Sequence, residues 1–161
     1  MAKDNLPVTA AIRVLREHGV AYVPRTYDYE PKGGTAHSAA CLGVDEHAVV
    51  KTLVMEDEDK KPLVVLMHGD REVSTKALAR HIGKKAIKPC VPEVADRHSG
   101  YQVGGTSPFG TRRAMPVYMQ ASILELPRIY INGGRRGLLV EIDPKDAQRV
   151  LQPVLVDVAI E

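Results

Sequence analysis

Two apolar runs dominate the middle of the chain. VVKTLVM (49–55) and PLVVLM (62–67) flank the polar segment EDEDKKP, a pattern that predicts a β-hairpin with a charged turn. Ahead of them, Val8, Ala11, Ile12 and Leu15 fall at helical spacing. Asn5 and Pro7 are placed to open that helix and Gly19 to end it. Residues 20–29 are rich in β-branched and aromatic side chains and read as a strand, which Pro24 assigns to a sheet edge. GGTAHSAACLGVDEHAVV reads as a loop followed by short helical turns. Ser74 caps a helix that runs through Ile82 to a stop at Gly83, and a shorter helix is expected over 92–98. PVYMQ, RIYING, GLLVEI and the terminal VLVDVAI read as strands, with Asp143-Pro144 opening a helix through Leu151 between the last two. Six or seven strands mixed with four or five short helices, in no βαβ alternation, indicate an α+β fold.

The chain has 161 residues, 44% hydrophobic and 26% charged, enough for one domain with its own core over 1–161. No run approaches the roughly 20 apolar residues of a membrane span, and MAKDNLPVTAAIRVL lacks the features of a signal peptide. The expectation is a soluble, cytoplasmic protein without membrane association. Cys41 and Cys90 form no CxxC pair, and the six histidines show no HxH or HExxH spacing; free thiols, no metal and no cofactor are expected. Net charge is only +2, yet basic residues cluster at Lys84-Lys85 with Lys88, at Arg112-Arg113 and at Arg135-Arg136. Such pairs are either solvated surface or parts of one phosphate-tracking face.

Three features carry possible chemistry. Lys51 interrupts an apolar strand on the face of Val49, Leu53 and Met55, with Val50, Thr52 and Val54 opposite. An ammonium there either snorkels to water or projects into a pocket, where it holds an anion, polarises a carbonyl or serves as an amine nucleophile. The loop GGTSPFG (104–110) is either a tight turn or a set of backbone N–H donors brought close to a ligand. INGGRRGLLVEI (131–142) is either a hairpin with a solvated tip or a pocket rim carrying two arginines.

Taken together and in order, TYDYEP (26–31), KTL (51–53), YQVGGTSPFG (101–110) and YINGGRRGLLVEI (130–142) resemble the YbaK/EbsC-type aminoacyl-tRNA deacylases, related to the editing domain of bacterial prolyl-tRNA synthetases. The resemblance implies one α+β domain on a mixed, barrel-like sheet with flanking short helices. It implies cleavage of the ester of mischarged tRNA, most often Cys-tRNA(Pro), by the substrate's own thiol. Ala-tRNA(Pro) is the alternative substrate, and a non-catalytic module binding tRNA or a synthetase is the alternative class. Prolyl-tRNA synthetase is the implied partner. Lys51 then matches the family's essential lysine, as an anchor for the terminal adenosine and aminoacyl group, with Thr52 beside it. Gly104 and Gly105 would donate backbone hydrogen bonds. Tyr27, Thr106, Ser107, Asn132, Gly133 and Gly134 would line the substrate site, and Arg112, Arg113, Arg135 and Arg136 would meet tRNA. Asn132 replaces a small hydroxyl residue of the family pattern and Leu139 a polar one.

Overall fold

The computed structural model describes residues 8–160. Asn5 and Pro7, expected to open the first helix, lie outside them. Helix α1 (Ala10–Glu17) is instead capped by Thr9, whose Oγ1 accepts the Ile12 N–H at 3.0 Å. It buries Ala11, Ile12 and Leu15, as its apolar spacing requires. The other elements follow in the order β1 (Val23–Thr26), α2 (Gly34–Leu42), β2 (Val49–Asp57), β3 (Pro62–His68), β4 (Glu72–Val73), α3 (Thr75–Ile82), β5 (Ile87–Pro89) and α4 (Pro92–Ser99). β6 (Val117–Gln120), β7 (Ile129–Arg135), β8 (Leu138–Ile142), α5 (Pro144–Leu151), β9 (Val154–Val156) and β10 (Ala159–Ile160) complete it.

One mixed sheet organises the chain, in the order β1-β8-β7-β2-β3-β6-β9, with β5 also pairing to β2. This is the expected α+β arrangement. β1 lies at an edge, where Pro24 leaves no ladder donor missing. β2 and β3 form the expected antiparallel hairpin, Val50 facing His68 and Met55 facing Leu63. Alternation along β3 then feeds two cores. Val64 and Leu66 join a cluster with α1, Phe109, Ile123 and Ala147. Leu63, Val65 and Met67 join another with Leu78 and Ala79 of α3. Thus the sheet is covered on both faces.

Three expectations change. The acidic run, expected as a polar turn, instead continues β2 through Glu56 and Asp57, both buried. Asp57 tolerates this because Oδ1 accepts the N–H groups of Asp59 (2.8 Å) and Lys61 (3.0 Å) while Oδ2 meets Lys84 Nζ at 3.3 Å. The terminal strand is divided: β9 joins the main sheet and β10 pairs with β4 in a separate two-stranded sheet. β4 and β5 escaped prediction because two- and three-residue strands carry no readable period.

Candidate functional site

Lys51 sits where two covered regions of one sheet face leave a gap. On one side are Val49 and Leu139 with Tyr27 and Tyr130; on the other are Leu53, Met55 and Met67. Its side chain is 18% exposed, and Nζ lies 3.6 Å from Oε1 of the exposed Glu72. Glu72 is brought there by β4, which β10 holds at Ala159↔Val73 and Ile160↔Glu72. So Lys51 neither lies idle in the core nor reaches water alone: a carboxylate from a distant strand meets it.

Register places Asn132 beside Lys51. The parallel pairing of β2 with β7 ends at Val50↔Ile131, and the next position on each strand is Lys51 and Asn132. Asn132 ties two segments together. Its Nδ2 donates to the Gly104 carbonyl at 3.2 Å, and its Oδ1 accepts the N–H groups of Gly134 (2.7 Å) and Arg135 (3.2 Å). A register shift between Asn132 and Arg135 marks the bulge so formed. Gly133 and Gly134 shape that bulge. The Gly133 carbonyl accepts the Thr9 hydroxyl, and a Cβ on Gly134 would press on Thr9 and Tyr101 at about 3.0 Å.

The paired glycines exist for close approach. A Cβ on Gly105 would lie 2.6 Å from the Arg136 nitrogen, and Gly104, at φ 92°, packs against the Tyr29 ring. The Gly105 N–H already donates to the Gln102 carbonyl at 2.7 Å, so the expected pair of open donors reduces to Gly104. Ser107 is also corrected. It is fully buried, and its Oγ accepts the Phe109 N–H at 3.2 Å, which seats Phe109 in the sealed core. Thr106 donates its hydroxyl to the Gln102 carbonyl at 3.2 Å and so belongs to the same turn. Thr52 points to the face opposite Lys51, and its Oγ1 is buried without a hydrogen-bond partner.

Tyr27 and Tyr29 line a cavity of about 290 Å³ together with Arg135, Arg136 and Gly137. The Tyr27 ring meets His37 edge-on at 5.9 Å, and burial pushes its hydroxyl above the ordinary tyrosine pKa. Arg136 lies 5.1 Å over the Tyr29 ring and donates from Nε to the Val103 carbonyl at 3.0 Å, clamping the glycine loop onto the hairpin. Arg135 is exposed at the same tip. Arg112 and Arg113 are tied to the end of α4: their backbone N–H groups bind the Ser99 and His98 carbonyls, and the Arg113 guanidinium contacts His98 Nδ1 at 3.5 Å.

Sequence reading missed Glu72, Tyr29 and a thiol–imidazole contact, Cys41 Sγ to His37 Nε2 at 3.5 Å on α2. Only the i,i+4 spacing of His37 and Cys41 was visible beforehand. Burial, then Glu56, raise the Cys90 thiol to about 11, which removes it as a nucleophile near neutral pH. No group of three or more metal-binding side chains occurs among the described residues, and none of their helices is long and apolar enough to cross a membrane.

Residues 30–150 match the family model for the aminoacyl-tRNA editing domain. A protein of Enterococcus faecalis named as a candidate Cys-tRNA(Pro)/Cys-tRNA(Cys) deacylase, EbsC, is 28% identical over 89% of this chain and 88% of its own. A proline–tRNA ligase of Thermodesulfovibrio yellowstonii is 29% identical over 68% of this chain, which spans 18% of that enzyme. The solved structure of a candidate trans-editing enzyme for prolyl tRNA synthetase superposes with a TM-score of 0.80 over 94% of this chain and 98% of its own. At 22% identity that likeness speaks for the fold.

Proposed function

This chain belongs to the aminoacyl-tRNA editing domain family, and we propose that it is a cytoplasmic trans-editing deacylase that clears cysteine from Cys-tRNA(Pro), with Cys-tRNA(Cys) as a second substrate. The observation that carries this reading is Lys51: a cation in a gap of an otherwise covered sheet face, next to the Asn132–Gly104 link and the Tyr27 wall. Lys51 and the Gly104 N–H hold the terminal adenosine and the ester; Tyr27 and Leu139 bound the side chain. Discrimination by shape alone explains why such an enzyme is needed, since a small pocket separates near-isosteres by only about 10- to 200-fold.

In this reading the nucleophile comes from the substrate. Cys90 is disfavoured as a thiolate, and Lys51 already faces a carboxylate. The substrate thiol attacks its own ester carbonyl: the S–C bond forms, the C–O bond to the ribose breaks, and the thiol proton ends on the ribose oxygen. Free tRNA and a thiolactone leave, and water then opens the thiolactone to cysteine. The protein supplies orientation, which is worth several kcal/mol, up to about 7–11 in well-ordered cases.

Release of labelled amino acid from Cys-tRNA(Pro) and Ala-tRNA(Pro), by the parent and by Lys51→Ala, tests the proposal. Cleavage of the cysteinyl ester that is lost in the variant is expected. Preference for the alanyl ester would replace the substrate and the thiol mechanism, and cleavage of neither would overturn the deacylase reading. Adding prolyl-tRNA synthetase to the same assay tests that partner by the change in KM.

A further inference from the structure

A second cavity, of about 390 Å³, opens on the outer side of α3 and is lined by Lys76, Arg80, Lys84 and Lys85. Lys76 and Arg80 are four residues apart on the helix and therefore share a side. Lys84 and Lys85 follow at once after Gly83, which turns the chain back at φ 73°. Two carboxylates border the groove. Asp57 pairs with Lys84 at 3.3 Å, and Glu58 accepts the backbone N–H groups of Lys85 (3.1 Å) and Ala86 (3.4 Å). Lys76, Arg80 and Lys85 are exposed and take part in none of the ion pairs among the described residues. Four cations against two carboxylates leave a surplus of positive charge in a concave strip.

We infer that this strip is a docking surface for the phosphate backbone of the tRNA, a track separate from the arginine pairs at 112–113 and 135–136. The identity of the polyanion rests on the deacylase reading; the surface itself does not. Position supports the assignment. Glu72, the partner of Lys51, lies two residues before Ser74, the cap of α3. The strip thus begins next to the catalytic gap and follows α3 for its eight residues, about 12 Å at the α-helical rise. A 3′ end seated at Lys51 passes its next nucleotides onto Lys76 and Arg80. Arg136 and Arg113 are less available for that work, since one is held over Tyr29 and the other against His98.

The test uses the triple variant Lys76→Gln, Arg80→Gln, Lys85→Gln, which leaves the Lys84–Asp57 pair intact, beside Arg112→Gln, Arg113→Gln. Equilibrium binding of uncharged tRNA is measured across salt concentrations. Hydrolysis is followed on full aminoacyl-tRNA and on an aminoacyl ester of adenosine alone, too short to reach the groove. Each lost phosphate contact lowers the slope of log K against log salt by roughly 0.7 to 0.9. The triple variant is expected to lose about two units of slope and at least about tenfold in affinity. KM for full tRNA should rise while hydrolysis of the short ester stays at the parent rate. An unchanged slope, or loss of slope only in the 112–113 variant, overturns the inference. So does equal damage to the short ester, which would mean the residues act through the fold. A parent that cleaves neither ester, with tRNA binding still lost in the triple variant, would sink the deacylase reading and leave the docking surface standing.

Discussion

Lys51 and Thr52 are neighbours in the chain and face opposite sides of β2, and their surroundings could hardly differ more. Around Lys51 the covering clusters part, a carboxylate arrives from β4, and glycine-rich backbone packs at the rim. Behind Thr52 lies the core that α1, α5 and Phe109 build with Val50, Val64 and Leu66, and among the described residues the Thr52 hydroxyl is the one buried side-chain polar group left unpaired. Within a fold that buries both faces of its central strands, one face supplies cohesion and the other gives some of it up for a site. The two should then respond to mutation in different observables.

The largest effect belongs to the sealed face. Phe109 is fully buried and is seated by the Ser107 bond to its own N–H. Phe109→Ala is expected to lower the free energy of unfolding by about 3–5 kcal/mol in a denaturant titration. Lys51→Ala is the mirror experiment. Removing one preorganised group from a reacting centre typically costs about 10²–10³ in rate. Deacylation should fall by that factor, while stability moves by less than about 1 kcal/mol, because the pair with exposed Glu72 is a weak one. A Lys51→Ala protein that unfolds early but turns over normally would erase the contrast.

A third test uses pH. His68 is buried on the sealed face, with Nδ1 at 2.8 Å from the His47 carbonyl, Nε2 at 2.7 Å from Ser122 Oγ, and the His47 ring stacked at 3.8 Å. Burial holds its pKa below the ordinary imidazole value, so the fold prefers the neutral ring. Its contribution is full above the unfolded value of about 6.5 and is lost as pH falls through the lower, folded value. Stability should therefore drop on acidification from about pH 7 to 5, and His68→Gln should flatten that slope. His98, depressed by burial and by Arg113, acts in the same direction; His98→Gln measures its share.

How much of this was legible depends on the range of the interaction. α3 was readable to the residue, because Ser74 and Gly83 cap it through local bonds. The β2–β3 hairpin and the two faces of β2 were readable because period-2 patterning is local as well. Asp57 escapes a local reading because its burial depends on Lys84 and on turn N–H groups that no local pattern announces. In the site, Lys51 stood out by its apolar neighbours alone. Its partner Glu72 did not, since β4 reaches it only after β10 returns from the far end of the chain. The role of Gly105 was misread for a related reason: composition shows that a backbone comes close, but not that its N–H is already taken by Gln102.

The smallest predicted effect is the sharpest for the contrast between the faces. Thr52→Val keeps the branched shape and removes a hydroxyl whose oxygen is buried with no partner. A polar group in that state is typically unfavourable by about 1–3 kcal/mol, so the substitution should raise stability, by about 1 kcal/mol given partial relaxation. If the sealed face is structural, kcat and KM for Cys-tRNA(Pro) stay at the parent values while the denaturation midpoint rises. If the hydroxyl instead reaches substrate through an opening of the sheet beside Asn132, the midpoint still rises but KM rises with it. That second outcome would move Thr52 into the site with Lys51 and make β2 a strand that contributes to binding from both faces.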